Sequence, residues 1–195
     1  MQLQINSLKK SFGERVVFDD VNVSLVPGIY TLTGPSGCGK TTFVRILCGL
    51  EKIDEGEIFP VSYKSSCMFQ EPRLFPWLDV LANIEKVTEC DTNCATELLC
   101  ALELGEDLHK YPYELSVGMQ RRVAIARTLA IRDADLYVFD EPFAGLDEER
   151  KRAVCRIIKD SVPKDSIVII ISHELAEVSE IADFSLRLEN NRIIK

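Results

Sequence analysis

The sequence predicts an α/β fold with a core of parallel strands covered by helices, an antiparallel sheet near the N-terminus and an inserted helical region. Three observations predict this architecture. Apolar runs that do not alternate, at Ser66–Gln70, Leu136–Asp140 and Ile167–Ser172, are typical of parallel strands buried on both faces. The first thirty residues contain alternating runs, which indicate antiparallel strands. Between Pro72 and Ala134 helical patterns dominate and no strand-like run occurs.

The length of 195 residues suits one compact domain and excludes a large multidomain machine. With 46% hydrophobic and 28% charged residues, the chain has enough apolar side chains to bury a core, so it is neither disordered nor of low complexity. We therefore expect a single domain over residues 1–195. Residues 1–71 and 135–195 would form the core with its antiparallel sheet, and residues 72–134 a helical subdomain packed against it.

Charge and hydropathy exclude several classes of partner. The formal net charge is −8, which argues against a general attraction to nucleic acid or anionic lipid, and we expect no nucleic-acid partner. No stretch is apolar over the roughly 18 to 20 residues that a membrane span needs. The start of the chain, Met1–Asn6, lacks the basic and apolar regions of a signal peptide, which predicts a cytoplasmic protein.

The seven cysteines are expected to be free thiols in that compartment. Their odd number, the lack of a C-x-x-C pair and the presence of only two histidines argue against a disulfide framework and against structural zinc. Cys90 and Cys94 are predicted to share one face of a helix, where they would fill the core or the surface.

The elements begin with a hairpin. Its alternating runs are Gln2–Leu8 and Val16–Val26, and Gly13 marks the turn between them. Pro27–Gly28 predicts a second turn, and Ile29–Thr33 predicts a short buried strand. The predicted helices lie at Lys40–Leu50, Val80–Lys86, Asn93–Leu104, Gly118–Ile131, Asp147–Asp160 and Glu174–Ile181.

The segment Gly34–Thr41 fits the pattern G-x-x-x-x-G-K-[ST], and it has the strand before it and the helix after it that this phosphate-binding loop requires. Its glycines let the backbone wrap a polyphosphate, Lys40 adds a positive charge, and Thr41 would coordinate magnesium. Cys38 lies at the helix N-terminus beside Lys40, so we expect it to be the most reactive thiol. The expected nucleotide-binding residues of this region are Gly34, Pro35, Ser36, Gly37, Cys38, Gly39, Lys40, Thr41 and Thr42.

The strand Leu136–Asp140 delivers two carboxylates at its carboxyl end, which is the edge where α/β sheets bind ligands. Asp140 suits the coordination sphere of magnesium, and Glu141 suits a general base that prepares water for attack on the γ-phosphate of a nucleotide. An acidic strand end or a helix cap is the alternative interpretation. A kinase, a GTPase and an ATPase all remain open at this point, because all three use such a loop.

The segment Leu115–Gln120, followed by Arg121–Arg127, resembles the signature of ATP-binding cassette (ABC) ATPases. The resemblance extends in order over nearly the whole chain: the phosphate-binding loop, Gln70, the signature, Asp140 with Glu141, the D-loop Ala144–Asp147 and the switch histidine His173. It implies a P-loop nucleotide-hydrolase core with an antiparallel β-sheet and a helical subdomain, which matches the architecture predicted above.

The resemblance also implies roles for individual residues. Lys40, Gln70, Glu141 and His173 would take part in catalysis, with Gln70 touching magnesium or the attacking water and His173 reaching the γ-phosphate. Gln70 would thereby join the metal-binding residues Thr41 and Asp140.

Other implied residues contact the nucleotide without acting in chemistry. Phe12 occupies the position where this family stacks an aromatic ring on adenine, although a phenylalanine near the N-terminus is more often a core residue. Ser116 and Gly118 would hold a phosphate bound to an opposing subunit, and Asp147 would lie at the seam of that dimer. Ser116 alone also reads as a helix N-cap. The signature departs from the usual pattern at Val117, where a small glycine is usual.

The segment Phe69–Trp77 resembles the corresponding segment of importer ATPases, especially those of the nitrate, sulfonate and taurine group. The implied function is an ATP-binding and ATP-hydrolysing subunit, as a homodimer or paired with a second ABC subunit, that powers a membrane permease from the cytoplasmic face of the membrane. Its cofactors would be ATP and Mg²⁺. The alternatives are an ABC ATPase that moves no solute and a small-molecule kinase. The solute and the direction of transport stay open.

Overall fold

The computed structural model describes residues 1–88, 90–173 and 178–194. The secondary structure alternates strands and helices in the order that an α/β fold requires. In chain order the elements are β1 (Leu3–Phe12), β2 (Arg15–Leu25), β3 (Gly28–Thr33), α1 (Lys40–Leu47), β4 (Glu55–Phe59), β5 (Ser65–Met68), α2 (Val80–Glu85), α3 (Thr92–Ala101), α4 (Val117–Leu129), β6 (Leu136–Asp140), α5 (Glu148–Ser161), β7 (Ile167–Ile171), β8 (Phe184–Glu189) and β9 (Arg192–Ile194).

The strands form two sheets. The first sheet is antiparallel with the order β2-β1-β4, and the second has the order β5-β6-β7-β3-β8-β9. In the second sheet the neighbouring strands from β5 to β8 are parallel, and only β9 pairs antiparallel to β8. The central strands β6 and β7 are buried at every position, as their apolar runs without alternation predict. The predicted α/β fold with an antiparallel sheet is confirmed.

The bounds of the predicted strands agree with the structure to within a few residues, but three strands were not predicted. The strand β4 is short, contains Gly56 and is largely exposed at the edge of its sheet, so its sequence lacks an apolar pattern. The strand β8 does alternate, with Leu186 and Leu188 buried between exposed residues, and that signal could have revealed it. The third is the three-residue β9.

Four helices begin at a side chain that caps them. The carboxylates of Asp79, Asp91 and Asp147 and the hydroxyl of Ser116 each accept a hydrogen bond from the backbone N–H three residues later, which satisfies one of the free donors at the helix N-terminus. The four caps position α2, α3, α4 and α5. The first three of these helices are the described α-helices between residues 72 and 134, where a short 3-10 helix also lies at Pro112–Glu114. The residues 174–177 of the predicted helix Glu174–Ile181 lie outside the described residues.

The core consists of two clusters of apolar side chains on opposite faces of the large sheet. One cluster joins that sheet to α2, α3, α4 and α5. The other joins it to α1 and to the antiparallel sheet, with Phe18 and Phe43 in edge contact at 6.0 Å between ring centroids. The helix α1 is thus fixed between two sheets, and its N-terminus carries the predicted phosphate-binding loop.

The prediction that all cysteines are free thiols is wrong for one pair. Cys90 and Cys94 form a disulfide with 5.8 Å between their Cα atoms. Cys90 precedes Asp91, the N-cap of α3, so it does not share a helix face with Cys94. The chain turns at the cap, and this turn brings the two sulfur atoms together. The other five cysteines are free.

Candidate functional site

A cleft of about 780 Å³ opens at the carboxyl ends of β3, β6 and β7, between the phosphate-binding loop and the β1–β2 hairpin. This is the edge at which open α/β sheets bind ligands. Most of the residues predicted for catalysis, phosphate binding and metal binding meet there. The cleft is lined by Phe12, Arg15, Val17, Ser36, Gly37, Gly39, Lys40, Thr41, Thr42, Gln70, Asp140, Glu141, Ala144, Ile171 and His173.

The loop between β3 and α1 is held tightly at both ends. Gly39 has φ 114°, and a Cβ atom there would lie 2.6 Å from Val17 Cγ1. Gly34 has φ 147°, and a Cβ atom there would lie 2.4 Å from the carbonyl oxygen of Leu188. Both positions therefore require glycine for backbone conformation and for space. Three of the predicted loop residues, Gly34, Pro35 and Cys38, belong to the framework of the loop and do not line the cleft.

Lys40 lies at the first position of α1 and is 9% exposed. Its Nζ donates hydrogen bonds to the carbonyl oxygens of Gly34 at 2.8 Å and Pro35 at 3.0 Å, so the ammonium group is held over the loop. The first N–H groups of α1 have no partner within the helix and add positive potential. Together they form a binding site for an anion such as a phosphate.

Arg15 was not predicted. Its Nη2 donates to the carbonyl oxygen of Gly37 at 2.5 Å, so a residue of the hairpin fixes the tip of the phosphate-binding loop and adds a cation to the cleft. The sequence offers no signal for this contact, because it joins two segments whose relative position follows from the sheet packing.

Asp140 and Thr41 face each other across the floor of the cleft. The Thr41 hydroxyl donates to Asp140 Oδ2 at 3.2 Å, and Asp140 is 3% exposed. Burial raises the pKa of Asp140, while the hydrogen bond from Thr41 and the charges of Lys40 and His173 oppose that shift. A hard divalent cation takes oxygen ligands, and its charge would offset the cost of burying this carboxylate. The residues therefore fit the predicted magnesium site.

We expect Asp140→Asn to stabilise the protein without nucleotide. Because the pKa of Asp140 is higher in the folded than in the unfolded chain, the folded state binds more protons between the two values, and stability falls as the pH rises through that window. Removing the charge should increase the free energy of unfolding at neutral pH by about 0.5–2 kcal/mol and reduce its dependence on acid pH. Urea unfolding at neutral and acid pH measures both effects.

Asp133→Asn is the control for that measurement. The hydrogen bond from Lys64 lowers the pKa of Asp133, so neutralising this exposed carboxylate should not stabilise the protein. A free energy of unfolding for Asp140→Asn equal to or below that of the wild type would contradict the assignment of a costly buried charge.

Glu141 follows Asp140 with φ 54°, a left-handed conformation that is strained for a residue other than glycine. Its backbone N–H donates to the carbonyl oxygen of Ile171 at 2.9 Å, which holds this conformation. Glu141 Oε1 is buried and accepts no hydrogen bond from a described residue, although His173 Nε2 lies 3.4 Å away. Burial raises the pKa of Glu141, and His173 opposes the shift. A carboxylate with free lone pairs and a raised pKa is suited to accept a proton from water.

Phe12 and Gln70 lie at the rim of the cleft. Phe12 is 49% exposed, and Lys10 Nζ lies 4.9 Å from its ring centroid, so the alternative that Phe12 is a core residue is wrong. An exposed ring at this position leaves one face available for a planar ligand.

Ser116, Gly118 and Asp147 do not line the cleft. Ser116 Oγ accepts a hydrogen bond from the N–H of Met119 at 3.2 Å, which confirms it as the N-cap of α4. A Cβ atom on Gly118 would lie 3.9 Å from the carbonyl oxygen of Gly145, so the signature and the D-loop are neighbours. The structure thus divides the predicted nucleotide-binding residues into a cleft group and a signature group.

Two polar side chains, also missed from the sequence, hold the segment that follows Gln70: the buried Asn83 and the half-buried Arg127. Asn83 is fully buried; its amide donates to the carbonyl oxygens of Phe75 and Leu78, and its Oδ1 accepts from the N–H of Phe75 at 2.7 Å. Arg127 of α4 donates to the carbonyl oxygens of Pro72 and Arg73. The segment from 72 to 78 therefore has a defined conformation, with Trp77 69% exposed.

None of the helices described here is long and apolar enough to cross a lipid bilayer. The family model described as ABC transporter matches residues 18–144. The chain is 34% identical over 195 residues to the aliphatic sulfonates import ATP-binding protein SsuB 3 of Rhodococcus jostii (strain RHA1). That alignment covers 97% of this chain and 72% of that protein. It is 31% identical over 220 residues to the L-cystine import ATP-binding protein TcyC of Bacillus subtilis (strain 168). That alignment covers 99% of this chain and 89% of that protein.

A solved structure has the same fold. It is the dimeric structure of a post-hydrolysis state of the ATP-binding cassette MJ0796 bound to ADP and Pi, with a TM-score of 0.84, 24% sequence identity, and coverage of 99% of this chain and 97% of that one. The resemblance drawn from the motifs is confirmed, and the kinase alternative is excluded. The chain therefore belongs to the ABC transporter family, as an ATP-binding ATPase subunit.

Proposed function

We propose that this chain binds ATP with Mg²⁺ in the cleft, hydrolyses it with Glu141 as general base, and powers a membrane permease that moves a solute. The observation that carries the proposal is the convergence in one cleft of a phosphate-binding loop, a buried Asp140 and a Glu141 oxygen that accepts no hydrogen bond from a described residue. Each group supplies a part that phosphoryl transfer to water requires: anion binding, metal binding and proton acceptance.

Thr41 and Asp140 would hold the magnesium ion, and Gln70 at the rim would approach it or the attacking water. The ion supplies positive charge that neutralises the phosphate oxygens. Lys40, fixed by the loop carbonyls, holds the β- and γ-phosphates in place. Glu141 would accept a proton at Oε1, and His173, whose Nε2 lies 3.4 Å from that oxygen, would donate a hydrogen bond to the γ-phosphate. Phe12 would stack on the adenine ring.

The position of the signature group supports a nucleotide shared between two subunits. Ser116 and Gly118 lie at the start of α4, where a hydroxyl and free N–H groups can hold a phosphate, but they are outside the cleft of their own chain. They would close over ATP bound to a second subunit, and Asp147 would lie at the contact. The second subunit would be a copy of this chain or a different ABC subunit.

The exposed Trp77 and its neighbour Phe75, with ring centroids 5.6 Å apart, are proposed to contact a helix of the permease on the cytoplasmic face of the membrane. Exposed aromatic side chains on a rigid segment are typical anchors of protein interfaces. The solute is not specified by these residues, and the named relatives differ in theirs: aliphatic sulfonates for one and L-cystine for the other. We also propose that the chain is divided into a core and a helical subdomain, with residues 72–134 forming the subdomain.

The purified chain provides the test of this function. We expect release of inorganic phosphate from ATP that requires Mg²⁺ and no acceptor molecule, and that is lost in Lys40→Ala because the phosphates lose their main cation. Expression of the tagged chain in its native host should copurify one polytopic membrane protein from detergent-solubilised membranes. Hydrolysis that does not depend on Mg²⁺, or a full yield of chain with no membrane protein attached, would contradict the proposal.

A further inference from the structure

The signature helix α4 contacts the D-loop through Arg121. Nη1 of this side chain donates a hydrogen bond to the carbonyl oxygen of Ala144 at 2.7 Å. The side chain is half-buried, and its Nε is buried and makes no hydrogen bond to a described residue. Removal from water strengthens the hydrogen bond that the guanidinium group makes to the carbonyl oxygen. Arg121 therefore joins two segments of the chain that carry predicted nucleotide-binding residues.

The carbonyl group of Ala144 lies in the middle of a turn over residues 143–146, which we name the D-loop turn. The N–H of Leu146 donates to the carbonyl oxygen of Phe143 at 3.0 Å and closes this turn. Gly145 has φ 82°, a left-handed conformation that glycine adopts without strain. Because glycine adopts the opposite sign of φ as readily, the peptide between Ala144 and Gly145 can rotate at small cost. A hydrogen bond to the oxygen of this peptide selects one orientation.

The D-loop turn lies between the proposed general base and the proposed dimer contact. Glu141 comes three residues before Ala144, and Asp147, the N-cap of α5, comes three residues after it. Ala144 also lines the ATP cleft, whereas Arg121 does not. Glu141 Oε1 accepts no hydrogen bond from a described residue, so the backbone of this segment sets where the carboxylate lies. The shape of the turn therefore bears on the position of the Glu141 carboxylate.

The face of α4 that carries Arg121 also carries part of the signature. Gly118 and Arg121 are three residues apart in the helix and so lie on one face of it. A Cβ atom on Gly118 would lie 3.9 Å from the carbonyl oxygen of Gly145 and 3.9 Å from Leu146 Cδ2, so α4 lies against the turn at both positions. The D-loop turn is thus fixed to the helix that begins at Ser116.

We propose that Arg121 is a positioning residue for ATP hydrolysis, which fixes the D-loop turn to the signature helix and thereby holds Glu141 in place to accept a proton. The role of Glu141 in this inference rests on the proposed function. Without the guanidinium group, the peptide between Ala144 and Gly145 rotates, and the segment after Glu141 takes several conformations. Fewer of them place the carboxylate beside the attacking water, so the chemical step slows while the phosphate-binding loop is undisturbed.

The experiment compares variants of Arg121 in the full chain. We expect Arg121→Ala to lower kcat for ATP by about 10-fold and to leave KM unchanged, because the lost contact acts on the transition state and not on binding. Arg121→Lys keeps a charged donor for the Ala144 carbonyl and should recover part of the rate. Guanidinium ion at low millimolar concentration should accelerate Arg121→Ala and leave the wild type unchanged, because the ion can enter the space that the side chain leaves.

A double-mutant cycle separates positioning from a general loss of structure. In the Glu141→Gln background, Arg121→Ala should cause no further fall in turnover, because the carboxylate that it positions is already gone. An equal fold-reduction by Arg121→Ala in both backgrounds would overturn the inference and leave the ATPase assignment standing. Wild-type turnover in Glu141→Gln alone would instead overturn the proposed role of Glu141, and this inference with it.

Arg122→Ala is the matched control. Arg122 is the next residue of α4 and is also half-buried, but its Nη1 donates to the carbonyl oxygen of Leu102 at 2.8 Å and does not contact the D-loop turn. This variant should lose stability like Arg121→Ala in thermal unfolding, keep the wild-type kcat well below its Tm, and show no activation by guanidinium ion. The same loss of kcat in both variants would assign the effect to a weakened α4 and overturn the inference.

Discussion

Glu141→Gln should reduce ATP turnover by about 10²- to 10⁴-fold while ATP still binds. Glutamine keeps the shape of the side chain but cannot accept a proton at neutral pH. Binding should persist because Glu141 Oε1 accepts no hydrogen bond from a described residue, so the substitution breaks no contact that holds the phosphate-binding loop. Phosphate release and the affinity for a fluorescent ATP analogue measure the two effects separately.

The same variant should reveal the dimer. When ATP bridges two subunits and is not hydrolysed, its binding energy shifts the equilibrium toward association. We expect light scattering to show a dimer of Glu141→Gln with ATP and a monomer after ATP is removed. Glu106→Gln, which removes an exposed carboxylate outside the cleft, should hydrolyse ATP at the wild-type rate. A Glu141→Gln protein that stays monomeric at high concentration with saturating ATP would contradict the shared-nucleotide arrangement.

Substituting Phe75 and Trp77 together by serine should abolish recovery of the chain with its membrane partner. Trp77 is 69% exposed and the segment that carries it is fixed by Asn83 and Arg127, so the variant removes apolar contact area without disturbing the phosphate site. We expect ATP affinity to be unchanged. Trp77 is the one tryptophan of the sequence, so a change in its fluorescence when the permease is added reports on this surface in the wild type.

Val61→Ser provides the control for that variant, because Val61 is apolar and 86% exposed but lies outside the segment from 72 to 78. It should copurify with the permease at the wild-type yield. Recovery of the Phe75/Trp77 double variant at that same yield would place the permease contact elsewhere on the chain.

The sequence alone predicted four residues of the cleft, Lys40, Thr41, Asp140 and Glu141, because each lies in a local pattern. Lys40 and Thr41 follow a glycine-rich loop and begin a helix, and Asp140 and Glu141 end an apolar strand. Since parallel strands present their carboxyl ends at one edge, strand assignment was enough to bring these segments together. Gln70 and His173 lacked such a pattern, and only the resemblance to a family pointed to them.

Contacts between segments distant in the sequence could not be predicted in this way. Arg15 meets Gly37 because two sheets pack together, and Asn83 meets Phe75 because the chain folds back on α2. Both side chains are polar, and nothing in the neighbouring residues distinguishes them from surface groups. The Cys90–Cys94 pair was missed because the expected compartment and the odd number of cysteines argued for free thiols, and because both residues were assigned to one helix face although the cap at Asp91 lies between them.

The six residues that separate Gln70 from Trp77 are the connection through which a movement of Gln70 in the ATP cleft would reach the exposed surface. Arg127 ties the start of this stretch to α4, and the buried Asn83 amide ties its end to α2, so its backbone has few ways to bend. A flexible connection would absorb a displacement of Gln70 by changing its own shape. We expect this stretch to keep its shape instead, so that a displacement of Gln70 would be transmitted to the exposed ring of Trp77.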